Sequence, residues 1–511
     1  MIDILKKLLV GLTTAMNFAH KHLQLINAET TTETISTVRV YARSEHTISR
    51  SQISENALKV LYRLHKEGYD AYLVGGCVRD LLLGREPKDF DVVTNAEPEQ
   101  VRKVFRNCRI IGRRFRLAHV HFGKEVIEVA TFRGAAEQQT DKQMLTKEGR
   151  LLRDNVYGTI EEDVWRRDFT VNALYYSIKD FSVVDYVNGM TDHQSATLRL
   201  IGEPNTRFRE DPVRMLRAVR FAVKLAFNIE PTCAQAIYGA APLLASIPAA
   251  RLYDEVLKLF LYGYAVQAFE MLRHYGLFQV LFPDTEKSLA DEENGFPRQL
   301  LIKALENSDN RIAEGKTVTA YFLFAALLWE PVRMLADDYM QQGQPEYVAY
   351  QDAANEIINR QVKKTALPKH ITLAMREVWS LQPKFTNRIG SKPSRLLAHP
   401  RFRAGYDFLL LRAETGGAEP ELAAWWQSFQ QADEHLQRKM TQPSRKSSSS
   451  KSSRKKATVK KRLNRLLILK CKRTKTQSKR NYSAPSPFFG VMFVSYCFIV
   501  IEAKNIRGGH E

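Results

Sequence analysis

The 511-residue chain is poor in cysteine, has no acidic residue through a long stretch near its C-terminal end, and lacks an apolar run of membrane-spanning length. Its five cysteines, Cys77, Cys108, Cys233, Cys471 and Cys497, are scattered, and no two form a Cys-x-x-Cys pair. That usage argues against a zinc ribbon or disulfide frame and for a reducing compartment, so a cytoplasmic protein is expected. The most apolar stretch, Phe488 to Ile501, has fourteen residues, below the roughly twenty that a spanning helix needs. No integral membrane segment is expected. The N-terminal "MIDILKKLLVGLTTAMNFAHKHLQ" has its apolar patch broken by Thr13, Thr14 and Asn17, and reads as a helical extension rather than a secretory signal. Neither the Gly-x-Gly-x-x-Gly dinucleotide fingerprint nor a Lys-containing P-loop marks its glycine-rich turn.

What is present begins with charge. From Arg438 to Arg480 there are eighteen Lys or Arg and no Asp or Glu; taking these from the formal charge of +20 leaves +2 for the rest. Segments such as "SRKSSSSKSSRKK" have too little apolar content to fold alone and would be drawn to a polyanion, nucleic acid before an anionic membrane surface. The remaining chain, in a sequence that is 44% hydrophobic, can bury a large core in two or more domains.

"ISENALKVLYRLHKEG" reads as an amphipathic helix with Ser54 as N-cap, Leu58, Leu61 and Leu64 on one side, and Gly68 at the stop. "AYLV", "DFDVVT", "RIIG", "LAHVHF" and "VIEVATF" read as strands of a small mixed α/β sheet of four or five strands. Residues 134–153 turn polar and read as an insertion or mobile loop. "VVDYVNGMTDHQSATLRLIG" reads as a hairpin turning at Asn188 and Gly189. Beyond "FREDPVRMLRAVRFAVKLAF" the pattern is helical to about Gln437, without a fixed repeat. The expected divisions are an N-terminal extension (1–50), an α/β head (51–203), a helical neck (204–290), a helical body (291–437) and a basic tail (438–511).

Five short segments could carry chemistry. In "KDFDVV" Asp89 and Asp91 are two apart, so on a strand both face one way and Phe90 the other. Two such carboxylates repel unless a cation joins them, and an all-oxygen set suits Mg²⁺; a solvated strand end is the alternative. Upstream, Gly75 and Gly76 lie between a strand and a short helix bearing Arg79. Backbone N–H groups at such a turn, with a guanidinium, can hold phosphate. Glu128 in "VIEVATF" is either a third cation ligand or an edge-strand glutamate in water. In "RRDFTVNAL" Asp168 reads as a helix cap with Asn172 one turn on, while Arg166 and Arg167 would suit a polyphosphate. In "REDPVRMLRAVRF" Asp211 reads as an N-cap ahead of Pro212. Arg214 and Arg217 share a face, there to pair with Glu210 or, for Asp211 and Arg214, to read a nucleobase edge.

Taken in order, "LVGGCVRDLLLG", "PKDFDVVT", "IEVATFRG", "RRDFTVNAL" and "REDPVRMLRAVRF" resemble the tRNA nucleotidyltransferase and poly(A) polymerase family, over about residues 70–225 with a compatible helical continuation. The resemblance implies a polymerase-β-like nucleotidyltransferase head followed by all-α domains. It implies a metal-binding pair at Asp89 and Asp91, with Glu128 completing the cluster for two Mg²⁺ ions, and Asp168 as a further active-site acid. Gly75, Gly76, Arg79 and Arg167 would hold the triphosphate, and Asp211, Arg214 and Arg217 would serve the incoming ATP. "IIGRRFRLAHV" looks like the mark of the poly(A)-adding branch, which transfers AMP to RNA 3′ ends in mRNA processing and RNA decay. RNA-decay nucleases or RNA chaperones are the expected protein partners. A CCA-adding tRNA enzyme, or a non-catalytic RNA-binding protein on this fold, are the rival readings. The apolar end after the basic tail departs from the family's pattern.

Overall fold

A computed structural model describes residues 38–112, 116–134, 143–145, 151–154, 156–290 and 296–442. The chain divides into two units, Met1–Gln442 and Pro443–Glu511. The whole second unit and the first 37 residues lie outside the described residues, and so do the expectations for the N-terminal helix, the rest of the basic tail and the apolar end.

The head is built on an eight-stranded sheet, larger than the four or five strands expected. Its strands are β1 (Arg39–Tyr41), β2 (Ala71–Val74), β3 (Asp91–Thr94), β4 (Cys108–Ile111), β5 (Leu117–Phe122), β6 (Glu125–Thr131), β9 (Leu174–Ser177) and β10 (Val183–Asp185), with β7 (Gln143–Leu145) and β8 (Leu151–Asp154) forming a separate antiparallel pair. The order is β1-β10-β9-β2-β3-β6-β5-β4, antiparallel except between β3 and β6. β9 escaped the sequence reading because all four of its residues, Leu-Tyr-Tyr-Ser, are buried, which erases the alternation that marks a half-exposed strand. The β7–β8 ladder lies, but for Asp154, within the stretch read as an irregular insertion; residues 135–142 and 146–150 of that stretch are outside the described set.

One face of the sheet packs Leu73, Val92, Ala118, Val120, Ile127, Val129, Tyr176 and Val183 against the helices Glu55–Lys66, Gly76–Leu82 and Pro98–Val104. The first of these helices starts where expected, with the Ser54 hydroxyl accepting from the Asn56 and Ala57 N–H groups. Leu61 and Leu64 are fully buried, and the chain leaves the helix through Gly68 at φ +86°. The opposite face carries a smaller core of Val74, Val93, Phe132, Val164, Ala173, Tyr175 and Ile201. Because successive strand residues point to opposite faces, this second face also receives Asp91 and Glu128.

The hairpin expected at Asn188 and Gly189 is absent. Asn188 adopts a left-handed conformation (φ 60°) that opens the short helix Gly189–Gln194, and β11 (Thr197–Leu198) then pairs in parallel with β12 (Asn228–Ile229). The cause is Asp185: its buried carboxylate accepts hydrogen bonds from the N–H groups of Val187, Gly189 and Met190 at 3.0, 2.9 and 3.0 Å. Those bonds favour a capped helix start over a second strand.

From Pro204 the described chain is helical apart from the two-residue strand β12. One apolar core runs from Phe169 through Leu216, Phe269, Leu305 and Trp379 to Leu411, so the head joins the helices through shared packing at Phe169, Leu198 and Leu200. A smaller cluster around Phe385, Phe402 and Trp426 closes the C-terminal helices. Asp211 ends the helix Pro204–Glu210 and also caps the next one across Pro212: its Oδ1 accepts from the Val213 N–H, the first of Val213–Leu225, at 3.2 Å.

Asp185→Ala should leave two buried N–H donors and one partly buried one unpaired and cost on the order of 3 kcal/mol, read as a lowered thermal midpoint, whereas Asp185→Asn, which keeps an acceptor, should lose less.

Candidate active site

The sheet end where β2 and β3 begin their connections collects most of the expected residues. β2 runs into Gly75, whose φ of +77° and ψ of −129° is open only to glycine, and the helix Gly76–Leu82 follows. A Cβ on Gly76, by contrast, would meet only the Arg79 Nη2 at 3.6 Å, an ordinary contact. The turn therefore needs one of its two glycines for backbone reasons, and the second keeps that surface bare.

Asp91 opens β3 and stands directly beside Glu128 of the parallel neighbour β6. Burial first, then the carboxylates of Glu128 and Asp89, push the Asp91 carboxyl up to about 6, with Arg167 opposing them. Asp89 lies two residues before the strand and is exposed, so the shared-strand geometry expected for the pair is only half realised; Phe90 between them packs toward the head core as anticipated. Among the described residues no group of three His, Cys, Asp or Glu side chains already converges as a metal cage. The donor set is nonetheless suited to a hard cation: one largely buried carboxylate, raised by two others and all oxygen. Such an open arrangement fits Mg²⁺, which keeps water and borrows ligands from substrate.

Arg167 approaches the glycine turn from the other side. Its Nε bonds the Tyr175 hydroxyl at 2.8 Å and Asp163 Oδ2 at 3.1 Å, its Nη2 bonds Asp163 Oδ2 at 2.8 Å, and the Tyr175 hydroxyl donates to the same oxygen at 2.8 Å. Burial alone would disfavour the charge, but Tyr175 and Asp163 outweigh it and hold Arg167 protonated. Its Nη1 takes no part in that triad and would lie 3.7 Å from a Cβ on Gly75.

Beneath the turn runs a buried polar chain. Arg79, 2% exposed, bonds Asp80 Oδ1 through Nε and Nη2 (2.9 and 2.6 Å) and Asn172 Oδ1 through Nη1 (2.5 Å). Asn172 Nδ2 donates to Asp168 Oδ1 at 3.1 Å, and Asp168 Oδ2 receives Arg217 Nε at 2.7 Å and Nη2 at 2.5 Å. Arg79 and Arg217 also sit over the ring of Phe221, each 5.2 Å from its centroid. Asp168 is thus not the cap of a following α-helix: a single 3₁₀ turn, Thr170–Asn172, follows it. Arg217 pairs with Asp168 rather than Glu210, while Arg214 does pair with Glu210, at 2.9 Å. Asp211 is gripped by both Nη atoms of Arg251, at 2.8 and 2.7 Å. Arg207 ties the two regions together, donating to the Arg167 carbonyl at 2.7 Å while its own carbonyl accepts from Arg214 at 2.8 Å.

Sequence reasoning missed Asp163, Tyr175 and Arg251. Arg251 lies 40 residues from its partner, and Tyr175 sits on the unrecognised strand β9; no local pattern points to either. Residues 113–115, inside "IIGRRFRLAHV", lie outside the described residues.

Comparison with known proteins now bears on this geometry. Residues 71–199 match the model of the poly A polymerase head domain, 226–289 that of a probable RNA and SrmB-binding site of polymerase A, and 342–462 that of the polymerase A arginine-rich C-terminus. Among solved structures, a tRNA-processing enzyme with CTP superposes with a TM-score of 0.54 at 21% identity, covering 75% of this chain and 100% of that one. The Thermotoga maritima CCA-adding enzyme complexed with tRNA superposes with a TM-score of 0.54 at 18% identity, covering 81% and 91%. At those identities the likeness shows the fold alone: a head with a mixed sheet, followed by helices. Poly(A) polymerase I of Salmonella typhimurium is 51% identical over 397 residues, 76% of this chain and 85% of its own length. That of Haemophilus influenzae is 47% identical over 398 residues, covering 76% and 88%. The CC-adding tRNA nucleotidyltransferase of Halalkalibacterium halodurans is 35% identical over 226 residues, 44% of this chain and 54% of its own length. The fold and these matches define the protein as a nucleotidyltransferase enzyme. More narrowly, the chain belongs to the poly(A) polymerase I family. Among the described residues no helix is long and apolar enough to cross a membrane.

The Asp168 network makes a stability prediction. Burial by itself would raise this carboxyl, but Arg217, Asn172 and the Phe169 N–H together hold it at about 2, below its ordinary 3.8. A depressed acid stabilises the folded state above its unfolded pKa, and that contribution is lost as pH falls toward the folded value. Between about pH 4 and pH 2 the protein should therefore lose about 2 kcal/mol that Asp168→Asn does not lose over the same window, read from thermal midpoints across pH.

Proposed function

We propose that this enzyme adds adenylate residues to RNA 3′ ends without a template, transferring AMP from ATP to the terminal 3′-hydroxyl and releasing pyrophosphate. The observation that supports this most is the match to poly(A) polymerase I proteins over 85% of their length, together with the placing of Gly75, Asp91, Glu128 and Arg167 around one sheet end. In this reading Asp89, Asp91 and Glu128 are the residues that would hold two Mg²⁺ ions, whose chemistry is to activate the 3′-hydroxyl and neutralise the departing pyrophosphate.

The chain's own residues supply alignment, which carries much of the barrier reduction in phosphoryl transfer. The Gly75–Gly76 turn lets a triphosphate approach the backbone, and Arg167, fixed by Asp163 and Tyr175, presents its remaining amino group there. Arg79 works from beneath, its guanidinium committed to Asp80 and Asn172, and so positions the turn. Asp168, kept ionised by Arg217, is the further acid of the site and fixes the helix Val213–Leu225 against the head. Asp211 and Arg214 are assigned to the nucleotide base, with Arg251 setting the plane of the Asp211 carboxylate.

We divide the chain into an N-terminal extension (1–50), whose strand β1 joins the head sheet, a head (51–203), neck (204–290), body (291–437) and basic tail (438–511), the helical parts and tail binding RNA. The setting is cytoplasmic RNA processing and decay, with nucleases or RNA chaperones as partners; the matched description of residues 226–289 as a probable RNA and SrmB-binding site favours this. The competing activity, nucleotide addition to tRNA, is favoured by the 35% identity to a CC-adding tRNA nucleotidyltransferase, which matches over about half of its own length.

Asp89→Ala and Asp91→Ala proteins with unchanged thermal midpoints should each lose at least two orders of magnitude in AMP incorporation into RNA, since electrostatic stabilisation of this kind is the largest contribution to such a step. Retention of substantial incorporation by either folded variant would refute the assignment.

A further inference from the structure

We propose that His119 is a positioning residue for Glu128, and through it for the divalent-cation site. The inference rests on reading Glu128 as a ligand of that site.

His119 sits in the middle of β5, directly opposite Glu128 in the antiparallel β5–β6 pair, and Glu128 in turn is in register with Asp91 on β3. Directly paired residues share a face of a sheet, so three strands set His119, Glu128 and Asp91 in one transverse row. The alternation of β5 explains why a histidine can stand there: Ala118 and Val120 are fully buried in the head core, which leaves His119 and His121 on the other face. The imidazole is held, its side chain only 19% exposed, with the ring of His121 at 6.5 Å and Arg109 of β4 as its other cross-strand neighbour.

His119 Nε2 is 3.6 Å from Glu128 Oε1, and no other carboxylate contacts this ring among the described residues. That distance is beyond a hydrogen bond, but within a side-chain rotation of one. Glu128 itself is half exposed and has no cation partner other than His119 among the described residues. Left alone, its carboxylate would swing away from Asp91, because the two repel. An imidazole N–H on the side away from Asp91 confines that motion to one orientation by engaging a single oxygen, Oε1, which leaves the other oxygen for a cation lying between the two carboxylates. Groups that orient a metal ligand in this way commonly contribute 10–100-fold in metal affinity. The position lies within "LAHVHF", where sequence alone gives no reason to separate it from His121.

The test is Mn²⁺ binding to the full-length protein, with free Mn²⁺ read by electron paramagnetic resonance in the absence of nucleotide and RNA. His119→Ala should weaken Mn²⁺ binding about tenfold with an unchanged thermal midpoint. His119→Gln, whose amide nitrogen can occupy the place of Nε2, should recover most of the affinity, and Glu128→Gln should weaken binding at least as much as His119→Ala. If Glu128→Gln weakens binding and His119→Ala does not, the positioning role is wrong and Glu128 keeps its ligand role. If Glu128→Gln binds Mn²⁺ like the parent, the reading of Glu128 as a ligand is itself overturned. Equal weakening by His119→Ala and His119→Gln, with lowered midpoints, would make the residue merely structural and overturn the proposal.

Discussion

The repulsion between Asp91 and Glu128 is the constraint around which the head is arranged. Two carboxylates on adjacent parallel strands, one of them largely buried, are unfavourable in isolation, and the protein places no lysine or arginine ion pair directly on either among the described residues. A surface that only needed to be stable would have an apolar or paired residue there. Electrostatic strain kept in a sheet otherwise dense with valine and isoleucine supports the proposed site for positive charge.

The rest of the structure serves to bring other elements to that point with little freedom. Gly75 turns the chain away from β2 in a conformation closed to other residues, so the backbone of the turn is bare where Arg167 reaches it. Arg167 is immobilised by a tyrosine and an aspartate, and Arg79, Asn172, Asp168 and Arg217 run as a continuous chain, buried at Arg79 and Asn172 and partly exposed at Arg217, from the head helix to the first long helix beyond it. Such a chain is satisfied at every link, and removing one member strands its neighbours. Head and helices are thereby tied at the level of the site itself, with shared apolar packing around Phe169 beside it.

Much of the site could be read from sequence because its elements are local. Gly75-Gly76, Asp89-x-Asp91 and the Arg214/Arg217 spacing each declare themselves within a few residues. The number of strands could not be read, because the fully buried β9 shows no alternation and β1, three residues long, is too short to show a pattern; β10 stands where the expected hairpin has its first strand. Partner choice was equally hidden: Asp168 looked like a cap and proved to be held by Arg217, 49 residues away, and Asp211 by Arg251, 40 residues away. The row from His119 to Asp91 exists only through the registers of three strands, which the order of residues along the chain does not encode.

The central claim is that this site builds an adenylate tail on RNA. It is tested most directly by incubating the full-length protein with Mg²⁺ and an unstructured RNA, offering ATP, CTP, GTP and UTP one at a time, and resolving the products by length. The account predicts long ladders with ATP and little extension with the other three. Extension confined to trimmed tRNA, stopping after C, C and A are added, would contradict it.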